Sequence, residues 1–219
     1  MHTRASIPLV ESPGRSAPLP LRIGFWACTA IAVAVVIRRI FALAFPPRSA
    51  PPQLAALDNF FATHAALTLA HIIPALAFVL TAPFVVFRSA TRSWARQLIY
   101  PLGLVVGLTA YAMSIDAVGG WIERSAVLFF NTLFLFSLLR AFRYQQQNDP
   151  PRERRWLLRA IAILLGIATT RPVMGVFFAT SRLTHLTPSQ FFGVAFWIGF
   201  SINVLVFELW IRSRERRSI

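Results

Sequence analysis

The sequence predicts an all-α, polytopic transmembrane helix bundle with six spans and both termini in the cytoplasm. Of the 219 residues, 56% are hydrophobic and only 14% are charged. Soluble domains carry roughly 25% charged residues. The hydrophobic residues are gathered into long runs, and the arginines between these runs are divided unevenly between alternate sides. Together these observations exclude a soluble, disordered or collagen-like chain and place most of the polypeptide in lipid.

Six apolar runs supply the predicted spans, at about residues 23–45, 60–87, 98–118, 121–142, 156–179 and 191–211. They are expected to be helices because lipid offers no water to satisfy backbone N–H and C=O groups. The fourth run is the shortest, with only 15 residues between Arg124 and Arg140. Those residues give about 22 Å of helix against ~30 Å of hydrocarbon. The run crosses only if Trp121 and Phe142 extend it and the flanking arginines reach back to the interface.

The predicted membrane domain covers residues 21–211 and is flanked by two tails. Residues 1–20 are rich in Pro, Ser and small residues without an apolar period, and they predict a disordered cytoplasmic tail. Residues 212–219 predict a short basic cytoplasmic tail. The first run is interpreted as an uncleaved span and not as a signal peptide, because Arg38 and Arg39 separate its apolar core from the cleavage-like Ala42-Leu43-Ala44.

All 22 basic residues are arginine, and with 8 acidic residues they give a net charge of +14. Fifteen arginines flank the spans on the side of both termini, 5 flank the other side, and Arg159 and Arg171 lie within a span. Because positive residues are retained in the cytoplasm, this bias predicts cytoplasmic termini in a bacterial cytoplasmic membrane, with anionic lipid headgroups as partners. The chain has no basic face apart from these flanks, so no nucleic-acid partner is expected.

Four polar residues at membrane depth form the candidate site. At ~1.5 Å per residue, His64 and Asp116 lie roughly 3 to 6 Å from the extracytoplasmic ends of their spans. His71 and Arg171 lie roughly 12 to 16 Å from those ends. His64 and His71 are two helical turns apart and share one helix face. We therefore expect a buried polar cluster of these four residues, in which Asp116 is the carboxylate that neutralises Arg171.

Two functions of different class fit this cluster. In the first, the protein binds or moves a small polar or anionic ligand, with Arg171 as its charge partner. In the second, it is a structural or partner-binding membrane protein whose polar residues, extended by Asn131 and Asn203, only fix helix packing. Haem binding is a third alternative, in which only His64 and His185 could meet from different helices. The sequence has no Cys/His cluster at metal-ligand spacing and no catalytic motif, so no metal site and no catalytic residue are predicted.

Five further residues are predicted to take part in helix packing, namely Gly103, Gly107, Trp156, Arg159 and Glu208. Gly103 and Gly107 are four residues apart in the third span and leave room for close approach of another helix. Arg159 and Glu208 lie within about one turn of the cytoplasmic ends of their helices. There they either snorkel to the interface or form a mutual ion pair.

One segment carries a family resemblance. Arg154-Arg155-Trp156-Leu157-Leu158-Arg159, followed twelve residues later by Arg171, resembles a family of predicted bacterial multi-pass membrane proteins catalogued as domain of unknown function 2306. The second span, in which His71 opens a Leu/Ala-rich stretch closed by Pro83 and Phe84, is similar as well. The likeness covers roughly residues 60–178. It implies a bacterial membrane, a multi-helix fold and a shared role for His71, Trp156, Arg159 and Arg171.

The chain departs from that family's pattern at two places. A histidine usually precedes the Trp-Arg motif, where this chain has Glu153, and a His-Arg pair usually opens the third span, where residues 93–100 contain none. Both departures remove candidate metal or haem ligands. The resemblance carries over no known activity.

Overall fold

The computed structural model describes residues 18–45, 52–87 and 93–216, which form eight α-helices and one short 3-10 turn. In chain order these elements are α1 (Leu19–Ala44), α2 (Pro52–Thr63), α3 (Ala65–Phe87), α4 (Ser93–Met113), the 3-10 turn (Ser114–Asp116), α5 (Gly120–Gln146), α6 (Pro150–Leu164), α7 (Gly166–Thr184) and α8 (Pro188–Glu215).

Six helical segments in the described part of the chain are long and apolar enough to cross a membrane, which confirms the predicted all-α, six-span fold. The short fourth run is α5, a helix of 27 residues. At ~1.5 Å per residue such a helix is about 40 Å long and exceeds the ~30 Å of hydrocarbon. Both Trp121 and Phe142 lie within this helix, as the predicted crossing of the membrane by the fourth span required. The cytoplasmic position of the termini stays a prediction.

Two helices extend into the predicted tails. Residues 1–17 of the predicted disordered tail lie outside the described residues, and α1 begins at Leu19. At the other end, α8 continues to Glu215, inside the predicted basic tail. An apolar run ends where lipid ends, whereas a helix continues into water for as long as its backbone bonds remain favourable. The bounds of the membrane domain therefore stay a prediction.

The helix of the fifth span begins before Trp156, the predicted start of that span. Helix α6 begins at Pro150, after Asp149, whose side chain accepts a hydrogen bond from the Arg152 backbone N–H at 3.1 Å. A capping carboxylate followed by proline in the first turn is a favourable start for a helix. The helix therefore begins six residues before the apolar stretch.

Two of the predicted spans are interrupted. The second, residues 60–87, is divided by a turn at His64, so Phe60 and Phe61 belong to α2 and the membrane segment is Ala65–Phe87. The fifth is divided at Leu165 between α6 and α7. Near this interruption the Ala162 carbonyl accepts a hydrogen bond from Asn203 Nδ2 of α8 at 3.3 Å. The side chain of a neighbouring helix thus satisfies a backbone group at membrane depth.

The spans run alternately up and down, and most neighbours in sequence are neighbours in space. Helix α3 packs on α4, α5 packs on α4, α6 and α8, α7 packs on α8, and α1 lies against α3 and α7. The side chains of Phe78, Ile99, Leu157 and Phe191 are fully buried between them. We call the end that carries α2, the 3-10 turn and the α7–α8 connection the α2 end, and the other end the terminal end.

Glycines allow the closest helix contacts. A Cβ atom on Gly199 of α8 would lie 2.6 Å from the Thr170 backbone nitrogen of α7. The two predicted packing glycines both face α5, since a Cβ on Gly103 would lie 2.8 Å from Leu138 Cδ2 and one on Gly107 would lie 2.7 Å from Leu135 Cγ. At Gly199 the obstacle is backbone, which cannot move aside as a side chain can.

Replacing Gly199→Ala is therefore expected to destabilise the protein by about 1 to 3 kcal/mol, the usual cost of overpacking. The matched control is Gly175→Ala in α7, where nothing lies within 4 Å of the added Cβ. This control is expected to be neutral or to stabilise the helix by up to about 1 kcal/mol. The measurement is thermal unfolding in detergent, followed by tryptophan fluorescence. Equal melting temperatures for the two variants would contradict the close contact.

Candidate functional site

A cavity of about 260 Å³ extends from the α2 end towards the middle of the bundle. Side chains from α1 to α8 line it, and most of them are apolar. Its polar lining residues are Arg39, Thr68, His71, Ser114, Asp116, Glu123, Asn131 and Arg171. Three of the four residues of the predicted polar cluster, namely His71, Asp116 and Arg171, thus line one cavity.

Two of the polar lining residues hold neighbouring helices together. His71 Nδ1 of α3 lies 2.9 Å from Thr109 Oγ1 of α4. The Asn131 side chain of α5 donates a hydrogen bond to the Gly107 carbonyl of α4 at 2.9 Å, through its Nδ2 atom. Hydrogen bonds between membrane helices are typical of polar residues that fix packing. Asn131 and His71 therefore both tie the cavity wall to α4.

Arg171 is the least satisfied charged residue of the cavity. It lies in α7 immediately before Pro172, and its Nη1 contacts Met174 Sδ at 3.7 Å. Its Nε is buried and has no hydrogen-bond partner among the described residues. A thioether sulfur is only a weak acceptor. A guanidinium has five N–H donors, so most of the hydrogen-bonding capacity of Arg171 is unused within the described chain.

The predicted pairing of Asp116 with Arg171 is wrong. Asp116 lies in the 3-10 turn, its side chain is 56% exposed, and its Oδ2 is 3.7 Å from His64 Nε2. His64 belongs to the turn between α2 and α3 and is 47% exposed. These two residues of the predicted cluster therefore form a contact at the surface of the α2 end. The similar depths predicted for His64 and Asp116 agree with this contact, but the Asp116 carboxylate does not reach Arg171.

The carboxylate that acts electrostatically on Arg171 is Glu123, which sequence reasoning missed. Glu123 is buried in the first turn of α5, and its Oε2 accepts a hydrogen bond from the Gly119 backbone N–H at 2.6 Å. A helix N-terminus is a favourable place for a carboxylate. Gly119 and Gly120 before an apolar run are a signal for this helix start. The predicted span begins at Trp121, however, and the predicted polar cluster does not include Glu123.

A second missed residue is Asp58 of α2, which binds two arginines of α1. It is 7% exposed, and its carboxylate lies 2.9 Å from Arg38 Nη2 and 2.6 Å from Arg39 Nη1. The Arg39 guanidinium also lies 4.0 Å from the centre of the Phe61 ring. Asp58 lies between the predicted first and second spans, so nothing in the apolar pattern placed it against α1. This cluster fastens α2 onto the α2 end of the bundle.

The packing candidates near the terminal end are all engaged. Arg159 Nε donates to Glu208 Oε1 at 2.6 Å, and its guanidinium stacks on Trp156 with 4.7 Å to the ring centre. Of the two alternatives for Arg159 and Glu208, the structure shows the mutual ion pair. Glu153, which stands where the resembled family has histidine, is 3% exposed and accepts hydrogen bonds from Arg96 and Tyr100.

No group of three His, Cys, Asp or Glu residues in the described ranges could hold a metal ion. His185, the other half of the one possible haem pair, ends α7 in a left-handed conformation with φ of 55° and does not line the cavity. His64 contacts Thr63 and Asp116. Absence of a cofactor stays a prediction.

Comparison with known families gives one match. The family of predicted membrane proteins DUF2306 matches residues 61–211, which is more than half of the chain. The chain belongs to this family. The resemblance found in the Trp-Arg segment and in the second span is thereby confirmed, and the DUF2306 match extends it through α8. No curated protein and no solved structure matches the chain.

Replacing Asp58→Asn is expected to destabilise the protein by about 1 to 3 kcal/mol, because it leaves two guanidinium groups without their shared carboxylate. Asp116→Asn is the matched control, since it removes the same charge at the same end of the bundle. Its long and exposed contact with His64 predicts a loss below about 1 kcal/mol. Chemical unfolding in mixed micelles measures both changes, and a larger loss for Asp116→Asn would refute this assignment of roles.

Proposed function

We propose that the protein binds a small amphipathic anion in the cavity at the α2 end. The observation that carries the proposal is the Arg171 guanidinium, which lines the cavity and has only a weak sulfur contact within the described chain. A buried charge is expensive unless it is paired and hydrogen-bonded. A carboxylate of a ligand would supply both a counter-charge and two strong acceptors.

The charges around the cavity favour an anion. Arg38 and Arg39 share the single carboxylate of Asp58, whereas Arg171 has only the electrostatic influence of Glu123, without an ion pair. The Glu123 carboxylate is moreover partly engaged by the Gly119 N–H. Asp58 is thus neutralised by its two arginines, whereas Arg171 forms no ion pair with a described carboxylate. An anionic ligand group would supply the missing counter-charge.

The size and lining of the cavity define the rest of the ligand. A cavity of about 150 Å³ is large enough for benzene, and this one measures about 260 Å³. Its wall is apolar apart from the eight polar residues named above. It therefore suits a ring or a short alkyl chain that carries one carboxylate or similar group. Such a division between apolar lining and a few polar groups is typical of ligand sites.

A purely structural role accounts for some of the polar residues but not for Arg171. His71 and Asn131 each bind another helix directly, so their polar groups have a use without any ligand. The side-chain contact of Arg171 is to Met174 in its own helix, and it does nothing to join two helices. The alternative in which the cluster only joins helices thus leaves the burial of the Arg171 guanidinium unexplained.

The proposed ligand site faces the extracytoplasmic side of a bacterial cytoplasmic membrane. This orientation rests on the excess of arginines at the terminal end, because positive residues near span ends are retained in the cytoplasm. The ligand would then enter from outside the cell or from the outer leaflet.

Cysteine labelling tests this orientation, because Cys28 is the only cysteine of the chain. In a Cys28→Ser background, the exposed loop position His185→Cys lies at the α2 end and Gln147→Cys lies at the terminal end. A membrane-impermeant maleimide is expected to label intact cells at position 185 and to label position 147 only after lysis. The reverse pattern would overturn the orientation.

Ligand binding is tested with hexanoate as the probe and hexanol as its neutral counterpart. Hexanoate is expected to raise the melting temperature of the purified protein in a saturable way, as a ligand that binds only the folded state does. Arg171→Gln is expected to weaken this binding roughly tenfold or more, the effect of losing a charge-assisted hydrogen bond. Isothermal titration calorimetry measures the affinities.

Arg124→Gln is the matched control, because it removes an arginine at the same end of the bundle but outside the cavity. It is expected to retain hexanoate binding. Equal effects of hexanoate and hexanol, or equal losses in the two variants, would contradict the proposal. Loss of folded Arg171→Gln protein, with no stabilisation of the wild type by hexanoate, would favour the structural role instead.

A further inference from the structure

A continuous stack of arginines and aromatic rings lies at the terminal end of the bundle. Arg152 and Arg140 both face the Tyr144 ring, with 5.7 Å and 5.2 Å from guanidinium carbon to ring centre. Arg140 and Arg159 both face the Trp156 ring, at 5.3 Å and 4.7 Å. The order along this arginine–aromatic stack is therefore Arg152, Tyr144, Arg140, Trp156, Arg159.

The stack follows from helix geometry. Arg140 and Tyr144 are four residues apart in α5, and Arg152 and Trp156 are four residues apart in α6, so each pair lies on one helix face. Helices α5 and α6 pack together along their lengths and are joined by residues 147–149. Side chains of the two faces can thus alternate.

The three arginines of the stack differ in their counter-charges. Arg159 is paired with Glu208, and Arg152 lies 3.4 Å from Asp149. Arg140 makes no ion pair with any described carboxylate, and its Nη2 donates to Tyr144 Oη at 2.8 Å. Stacking occupies the flat faces of a guanidinium and leaves its N–H edges as donors. Arg140 is accordingly a preorganised cation with free donor capacity.

An apolar slot adjoins the stack. It has a volume of about 370 Å³ and lies between α5, α6 and α8. Trp156, Arg159 and Glu208 belong to its wall, so the slot and the stack share residues. The rest of the wall is apolar except for Ser137 and consists of Leu133, Phe136, Ala162, Ile163, Val204 and Phe207. The charged side chains of the stack thus border the apolar slot at the terminal end of the bundle.

We propose that this surface is a binding site for one anionic phospholipid. The lipid phosphate binds the N–H edges of Arg140 and Arg152, and one acyl chain lies in the slot beside Trp156. Basic pockets between membrane helices bind anionic headgroups in this way. The proposal is independent of the ligand proposed for the α2 end, because the two sites lie at opposite ends of the bundle.

A phospholipid fits better than a soluble anion for two reasons. The stack lies within about two turns of the ends of α5 and α6, the level at which tryptophan, tyrosine and arginine meet lipid headgroups. The slot offers apolar wall that free phosphate cannot use. Both halves of the site are satisfied only by a molecule with a phosphate group and a hydrocarbon chain.

The test uses delipidated full-length protein in detergent micelles, with dioleoyl phosphatidylglycerol and dioleoyl phosphatidylcholine as probes. Native mass spectrometry counts the lipids retained, and thermal unfolding gives the apparent affinity. Phosphatidylglycerol is expected to bind with a stoichiometry of one and to stabilise the protein more than phosphatidylcholine does. Arg140→Gln is expected to weaken phosphatidylglycerol binding roughly tenfold.

Arg143→Gln is the matched control, because Arg143 is exposed on the same helix and forms no part of the stack. An exposed charge predicts a change of about threefold or less. Val204→Trp retains every arginine but fills the slot, and it too is expected to weaken lipid binding. This second variant keeps the test decisive should Arg140→Gln fail to fold.

Four results would overturn the proposal. Equal losses in Arg140→Gln and Arg143→Gln would indicate attraction to general surface charge. Equal binding of the two lipids would remove the role of the anionic headgroup. Stabilisation by inorganic phosphate as strong as by phosphatidylglycerol, or unchanged lipid binding in Val204→Trp, would show a soluble anion site without an acyl chain.

Discussion

The absence of water between the helices is the constraint on which this structure depends. Within hydrocarbon, each polar group must find a partner in the protein or remain unsatisfied at a cost of several kcal/mol. The inter-helix hydrogen bonds of His71, Asn131 and Asn203 and the ion pair of Arg159 with Glu208 are responses to this constraint. Arg124, Arg140 and Arg171 each have a buried Nε without a hydrogen-bond partner among the described residues. Of these three, only Arg171 lines the cavity, and for that reason it is the centre of the proposed ligand site.

The two ends of the molecule differ in how their arginines are arranged. At the α2 end, Arg39, Glu123 and Arg171 line the cavity, and Asp58 pairs with Arg38 and Arg39. At the terminal end, the arginines are spread along a face of stacked rings and along helix ends. The two arrangements differ physically, because a buried guanidinium requires a specific counter-charge whereas one near a helix end can reach water.

The sequence predicted the candidate site by depth but not by partner. Residue number along a span gives depth at about 1.5 Å per residue, and on this basis His71, Asp116 and Arg171 were expected to lie together. All three line one cavity. The wrong pairing of Asp116 with Arg171, and the omission of Glu123 and Asp58, have a common cause. Glu123 lies at the start of α5 and Asp58 lies in α2, and the apolar runs delimited neither place. The arginines near these carboxylates are far away in sequence.

The sequence by itself determined the number and type of the membrane segments and membership of the DUF2306 family. Bilayer thickness fixes how many apolar residues a span needs, and lipid permits only helices, so a one-dimensional pattern is sufficient. Tertiary structure alone decided which face of each helix turns inward, where α6 gives way to α7, and which carboxylate meets which arginine. These depend on the rotation of each helix about its axis and on close contacts such as Gly199 with Thr170, which involve atoms distant in sequence and leave no period in it.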